Sequence, residues 1–184
     1  MDRSWQLRDA LRTAASALKE HGPRFALAGS YALWAYGGPE PTNDVDFIVS
    51  EDDAETAADT LAKAGFTIER TPEDWLFKGH SDDGVVVDVL HRVNGAPVGA
   101  ELLGAAVQRP VLALSIPVLP PTMVVIQKLR AFDEHYCDFT LLLPTVRAVR
   151  EQLAWDDIAA ATADNDFAVA FMVLVERLGL VRTA

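Results

Sequence analysis

The stretch 28-AGSYALWAYGGPEPTNDVDFIVS-50 decides the reading of this chain. Two aspartates one residue apart, Asp44 and Asp46, stand at the entrance of an apolar run, Phe47, Ile48 and Val49, that reads as a buried strand. In a strand alternate side chains share a face, so Asp44, Asp46 and Ile48 point one way while Val45, Phe47 and Val49 point the other. Ionised carboxylates placed side by side repel each other and resist burial, so a compensating charge is required.

Working outward, "RFALAG" gives a short apolar strand before this stretch, "SYALWAY" a small helix closed by Gly37-Gly38-Pro39, and "NDVDFIVS" a second strand. Leu7, Leu11, Ala14, Ala15 and Leu18 fall at helical spacing and predict an amphipathic helix over 3–21, stopped by Gly22-Pro23. "EDDAETAADTLAKAG" carries acids at its start and Lys63 near its end, the charge order that suits a helix dipole. "FTIER" follows as a strand. "WLFKGHS" and "GVVVDVLHRV" form a hairpin about Ser81-Asp82-Asp83-Gly84. "APVGAELLGAA" is a short helix, and "RPVLALSIPVLP" is extended chain interrupted by Pro117. From Pro120 onward every segment is helical in character, with a kink or restart at Pro144. The expected organisation is a core over 1–119 and a C-terminal helical part over 120–184 that packs on it.

The chain has 184 residues, half of them hydrophobic and 23% charged, which suits one compact unit rather than a disordered or fibrous one. Its formal net charge of −11 opposes approach to nucleic acid or an anionic membrane unless arginines and lysines converge locally. The single cysteine, Cys137, excludes an intramolecular disulfide framework and a multi-cysteine zinc site. No run reaches the 18 or so apolar residues of a spanning helix, so a cytoplasmic protein with no membrane partner is expected.

The strand "VVVDVL" repeats the puzzle of the opening stretch, because Val85, Val87 and Val89 form one face and Asp88 breaks the other. If this strand lies beside the first, three carboxylates converge. Hard oxygen ligands of this kind suit Mg2+, which keeps several waters and is completed by substrate phosphates. A second ion sharing the same carboxylates would suit an in-line displacement at phosphorus. Gly29-Ser30 follows a strand and opens a helix; Gly29 permits close backbone approach and the Ser30 hydroxyl can donate to a phosphate oxygen. Trp34, Tyr36, Trp75 and Trp155 could stack on a base, but they are assigned to the core, where large aromatics usually lie.

The order strand, Gly-Ser, helix, glycine turn, Thr-x-Asp-x-Asp, helix and later strand aspartate resembles the polymerase-β-type nucleotidyltransferase superfamily over residues 25–90. The resemblance implies an α/β (α+β) fold with a small twisted mixed sheet flanked by helices, and transfer of a nucleoside monophosphate from an NTP. It implies that Asp44 and Asp46 bind two Mg2+ ions, Mn2+ being a substitute, while Asp88 binds one and helps deprotonate an acceptor hydroxyl. The helical segment "VVIQKLRAFDEHYCDFTLLL" is similar to AbiEii-type toxin nucleotidyltransferases, including the MenT toxins that modify tRNA 3′ ends. Carried over, Lys128 would contact the nucleotide phosphates and Asp138 would take the later acidic position. A tRNA acceptor and a cognate antitoxin partner would follow. Three positions depart from the pattern: Glu40 stands where an arginine is common, and His135 and Cys137 where basic residues are. The alternatives are a small cationic antibiotic as acceptor, or a degenerate fold serving as a non-catalytic binding module.

Overall fold

The computed structural model describes residues 3–181. Helix α1 (Arg3–His21) leads into strand β1 (Phe25–Leu27), helix α2 (Gly29–Ala35) and strand β2 (Val45–Val49). Helix α3 (Ala54–Lys63) then precedes β3 (Thr67–Arg70), β4 (Leu76–His80) and β5 (Val86–Leu90). A small hairpin of β6 (Arg92–Val93) and β7 (Ala96–Pro97), helix α4 (Ala100–Gly104), and a second hairpin of β8 (Val107–Val111) and β9 (Leu114–Val118) complete the strands. Helices α5 (Pro121–Arg130), α6 (Phe139–Val149), α7 (Trp155–Ala161) and α8 (Asp166–Arg177) close the chain.

Seven strands form one mixed sheet in the order β3-β4-β5-β2-β1-β9-β8. β2 runs antiparallel to β1 and parallel to β5, and β1 runs parallel to β9. The expected mixed sheet flanked by helices is therefore the observed one. The helix over 3–21 buries Leu7, Leu11, Ala14, Ala15 and Leu18, the residues its periodicity selected. It packs against β2, β5, β9 and α3, while α2 packs on β2, β8 and α5. Val45, Phe47, Val49, Val85, Val87 and Val89 are all fully buried, so the inward face of both acid-bearing strands is the one the alternation predicts. Phe47 meets Phe25 edge to face, with ring centroids 5.7 Å apart.

Two segments differ from expectation. The stretch 109–120 is not extended chain broken at Pro117 but the strand pair β8–β9, in which Pro117 still stands opposite Gln108. Its turn is made by Leu112 and Ala113 at φ 49° and 66°, the left-handed region that glycine or asparagine usually marks. Pro144 lies inside α6 rather than at a break.

Candidate active site

Parallel pairing of β2 with β5 puts Asp46 directly beside Asp88 in the strand register, and Asp44 sits one residue before β2 begins. One oxygen from each of the three carboxylates lies within 4.8 Å of the others. The convergence foreseen from alternation is thus present, and it rests on β5 lying next to β2. Desolvation, and after it the Asp44 carboxylate, push the Asp46 pKa up to about 7, against the pull of Lys128. Burial raises Asp88 as well, opposed by a hydrogen bond that Lys78 Nζ donates to Asp88 Oδ1 at 2.9 Å.

Above the trio opens a cleft of about 890 Å³, lined by Asp44 and Asp46 together with Gly29, Ser30, Lys128 and Asp138. Gly29 adopts φ +57°, and a Cβ there would overlap Asp46 Oδ2 and stand 2.5 Å from Asp46 Cγ. A side chain at position 29 would therefore occupy the space of the carboxylate itself. The N-cap of α2 is Ala28, so Ser30 is not the cap, and among the described residues its side chain has no hydrogen-bond partner. Lys128, on α5, faces the cleft near enough to Asp46 for its charge to favour the ionised carboxylate.

Asp138 has a structural task beside any other. It is the N-cap of α6, accepting from the backbone N–H groups of Thr140 at 2.8 Å and Leu141 at 3.3 Å. The Thr140 hydroxyl and these N–H groups hold its carboxyl below the usual range. Glu40 also has a partner. Arg8 Nε donates to Glu40 Oε1 at 2.6 Å, Arg8 Nη2 to Oε2, and the Ser4 hydroxyl to Oε1 at 2.6 Å. The loop that delivers Asp44 is thereby tied to α1, and the negative charge at this unusual position is matched by an arginine from elsewhere in the chain. His135 and Cys137 lie in the α5–α6 connection; the His135 backbone N–H donates to Asp133 and Cys137 packs against the core.

Residues 7–152 match the family described as "Nucleotidyl transferase of unknown function (DUF2204)". The chain belongs to this family. It is a nucleotidyltransferase. The fold agrees: the solution structure of the antibiotic-resistance factor ANT(2″)-Ia aligns with a TM-score of 0.67 at 12% identity, covering 96% of this chain and 98% of that one. The crystal structure of ANT(2″)-Ia in complex with adenylyl-2″-tobramycin gives the same TM-score and identity, covering 90% of this chain and 99% of that one. At this identity the likeness is one of fold. No curated protein sequence matches the chain, and no helix among the described residues is long and apolar enough to cross a membrane.

The cleft also contains residues that the sequence reading did not assign to a site. Trp75, assigned to the core, is instead 41% exposed and lines the cleft with Tyr136 and Leu141, which are 58% and 65% exposed. Trp34, Tyr36 and Trp155 do pack against the core as expected. The β6–β7 hairpin contributes Arg92, Val93, Asn94 and Gly95 to the same wall. Its signal was legible: Asn94-Gly95 is the commonest two-residue hairpin turn, here with φ 50° and 79°. Asn94 Nδ2 donates to the Gln127 carbonyl at 3.2 Å and so links this hairpin to α5. Lys78 was not singled out from the sequence, although the predicted hairpin is the pairing that sets it opposite Asp88.

The donor set fits a divalent metal. Three hard carboxylate oxygens converge, and the missing side chain at Gly29 leaves Asp46 room to present its own.

Proposed function

We propose that this nucleotidyltransferase moves a nucleoside monophosphate from an NTP onto a hydroxyl of a small, positively charged acceptor. The observation that carries the acceptor class is the cleft's lining: beside Asp44 and Asp46, which would hold the metal, and Glu40, which Arg8 pairs, it carries Glu73, Asp74 and Asp138, whereas Arg92 and Lys128 are the cations among the described lining residues. Arg92 is itself engaged by Glu51 at 3.0 Å. Such a field concentrates cations and repels a polyanion, which favours an aminated small molecule over the tRNA 3′ end of the toxin reading.

Asp44 and Asp46, with Asp88 beside them, would hold the divalent ion, Mg2+ or Mn2+. When bound, that ion neutralises phosphate charge and stabilises the developing negative charge at the α-phosphate. The chain's own residues do the rest. Lys128 and the unpartnered Ser30 hydroxyl reach toward the phosphates from opposite elements, Asp88 takes the proton of the attacking hydroxyl, and the rings of Trp75 and Tyr136 offer flat faces for the base or the acceptor. Glu40, held by Arg8, is left as part of the acidic rim.

Radiolabelled NTPs offered in turn with a panel of aminoglycosides, lincosamides and total tRNA test this. The expected result is label on an aminated small molecule, lost in D44N and D46N variants that remain folded. Tobramycin leads the panel because ANT(2″)-Ia was captured with its adenylyl derivative. Label on tRNA would reinstate the toxin reading and its antitoxin partner; undiminished label in D46N would refute the assignment of the metal site.

A further inference from the structure

Asp44 does not belong to the strand that carries Asp46; it ends the connection between α2 and β2, and strand pairing begins at Val45. That connection runs Pro39-Glu40-Pro41-Thr42-Asn43 and lines the cleft along this length. Its two prolines have no N–H to donate, and among the described residues no backbone–backbone hydrogen bond secures 39–42. What does secure the segment comes from α1. Arg3 Nη2 donates to the Asn43 carbonyl at 3.3 Å, the Ser4 hydroxyl donates to Glu40 Oε1 at 2.6 Å, and Arg8 grips both oxygens of Glu40. Arg3 Nη1 also donates to the Gly84 carbonyl at 3.4 Å, in the turn that leads into β5. One helix thus touches the approaches to both acid-bearing strands.

We infer that the first turns of α1 position the metal centre, with Arg8 and Glu40 as positioning residues that hold Asp44 within reach of Asp46 and Asp88. This rests on the metal-dependent reading above and deepens it. The three carboxylates lie close enough to repel one another, yet they are not held alike. Asp46 and Asp88 are fixed by the pairing of β2 with β5, whereas Asp44 lies just before the first paired residue and is the one free to swing toward solvent. An arginine fork on a carboxylate resists rotation as well as displacement, so its grip on Glu40 fixes how the connection is oriented. The helix behind it is a firm reference, because Leu7 and Leu11 are fully buried and α1 packs on β2, β5 and β9. The Arg8 guanidinium also lies over the Trp34 ring, 5.8 Å from its centroid, and so reaches α2, the helix that opens at Gly29. Arg8 itself does not line the cleft, which means that it acts through Glu40 rather than on a ligand.

The test is the Mn2+ affinity of the whole protein, read from the electron paramagnetic resonance of the free ion during titration, with α,β-methylene analogues of the common NTPs present in turn. Arg8→Met decides it by sign. Removing a cation beside an acidic cleft tightens Mn2+ binding if charge alone matters, whereas releasing the connection weakens it. The expected result is a loss of about 10-fold or more, the scale on which residues behind the ligands act. Arg8→Lys, which keeps the charge and loses the fork, should fall between Arg8→Met and the wild type, and it carries the prediction if Arg8→Met is unfolded by circular dichroism. Adding Glu40→Gln to Arg8→Met should cost little more, since the two residues act as one tie. Arg70→Met, which breaks the exposed pair with Glu55 away from the cleft, should leave the affinity unchanged. Binding by Arg8→Met as tight as the wild type's, or tighter, would overturn the inference while leaving the metal-dependent reading intact. No Mn2+ bound by the wild type with any analogue, or equal binding in Asp44→Asn, would overturn both.

Discussion

At the scale of single residues, the conformation of Gly29 and the carboxyl of Asp46 are one feature. The sequence suggests a glycine kept small so that a phosphate can approach the backbone; in the structure the atom it makes room for is Asp46 Oδ2. Alanine at this position would adopt a left-handed conformation that costs about 1–2 kcal/mol for an L-residue. It would also have to displace the carboxylate, which is harder, because Asp46 is fixed by its place in β2. Gly29→Ala is expected to lower the thermal midpoint by about 2–8 °C and to cut NMP transfer at least about 100-fold, the scale of loss when a reacting group is misplaced by an ångström. Transfer at the wild-type rate, measured with the same labelled NTP, would show that Asp46 tolerates the crowding and that its position is not critical.

At the scale of elements, the sequence disclosed what depends on periodicity and concealed what depends on register. The period-two pattern of 45–49 and 85–90 assigned each aspartate to its face, and the 3.6-residue period of 3–21 placed α1 within its observed bounds. No local signal says that β5 lies beside β2 rather than at the sheet's edge, and so none could place Asp88 beside Asp46, whereas the predicted hairpin is what brings Lys78 opposite Asp88. The β8–β9 hairpin was hidden for a different reason: Leu112 and Ala113 take a turn conformation to which their side chains give no clue. The β6–β7 hairpin had its Asn-Gly signal and supports the cleft through the Asn94–Gln127 hydrogen bond. Asn94→Ala removes that bond, worth about 0.5–1.5 kcal/mol, along with the residue's tolerance of positive φ. The acceptor KM should rise by about 2–10-fold with kcat nearly unchanged, since the hairpin forms a wall and touches no reacting atom. A fall in kcat at constant KM would instead place the hairpin in the chemical step.

At the scale of the whole molecule, a chain of net charge −11 gathers further acids around its cleft, and the consequence is a stability that depends on pH and on metal in opposite senses. Asp46 has a pKa raised from 3.8 to about 7 in the folded protein. Between these values the native state holds a proton that the unfolded chain has released, so unfolding loses protons and stability falls as pH rises. The contribution is fully present below the unfolded value, is lost progressively toward pH 7, and is absent above it. A divalent ion binds the ionised form and reverses the balance, because it occupies the native site and offsets the desolvation and the repulsion that raised the pKa. Metal-free protein should therefore melt at a lower temperature at pH 8 than at pH 5.5. Mg2+ at about 100 times its Kd should add about 2.7 kcal/mol at pH 8 and much less at pH 5.5, where proton and metal compete for the same oxygen. In Asp46→Asn the metal-free protein should lose most of its pH dependence across this interval, and Mg2+ should no longer stabilise it. Differential scanning calorimetry of both proteins, with EDTA and with Mg2+ at the two pH values, measures all of these quantities. Equal stabilisation by Mg2+ at pH 5.5 and pH 8 would mean that the ion does not meet the carboxylate of Asp46.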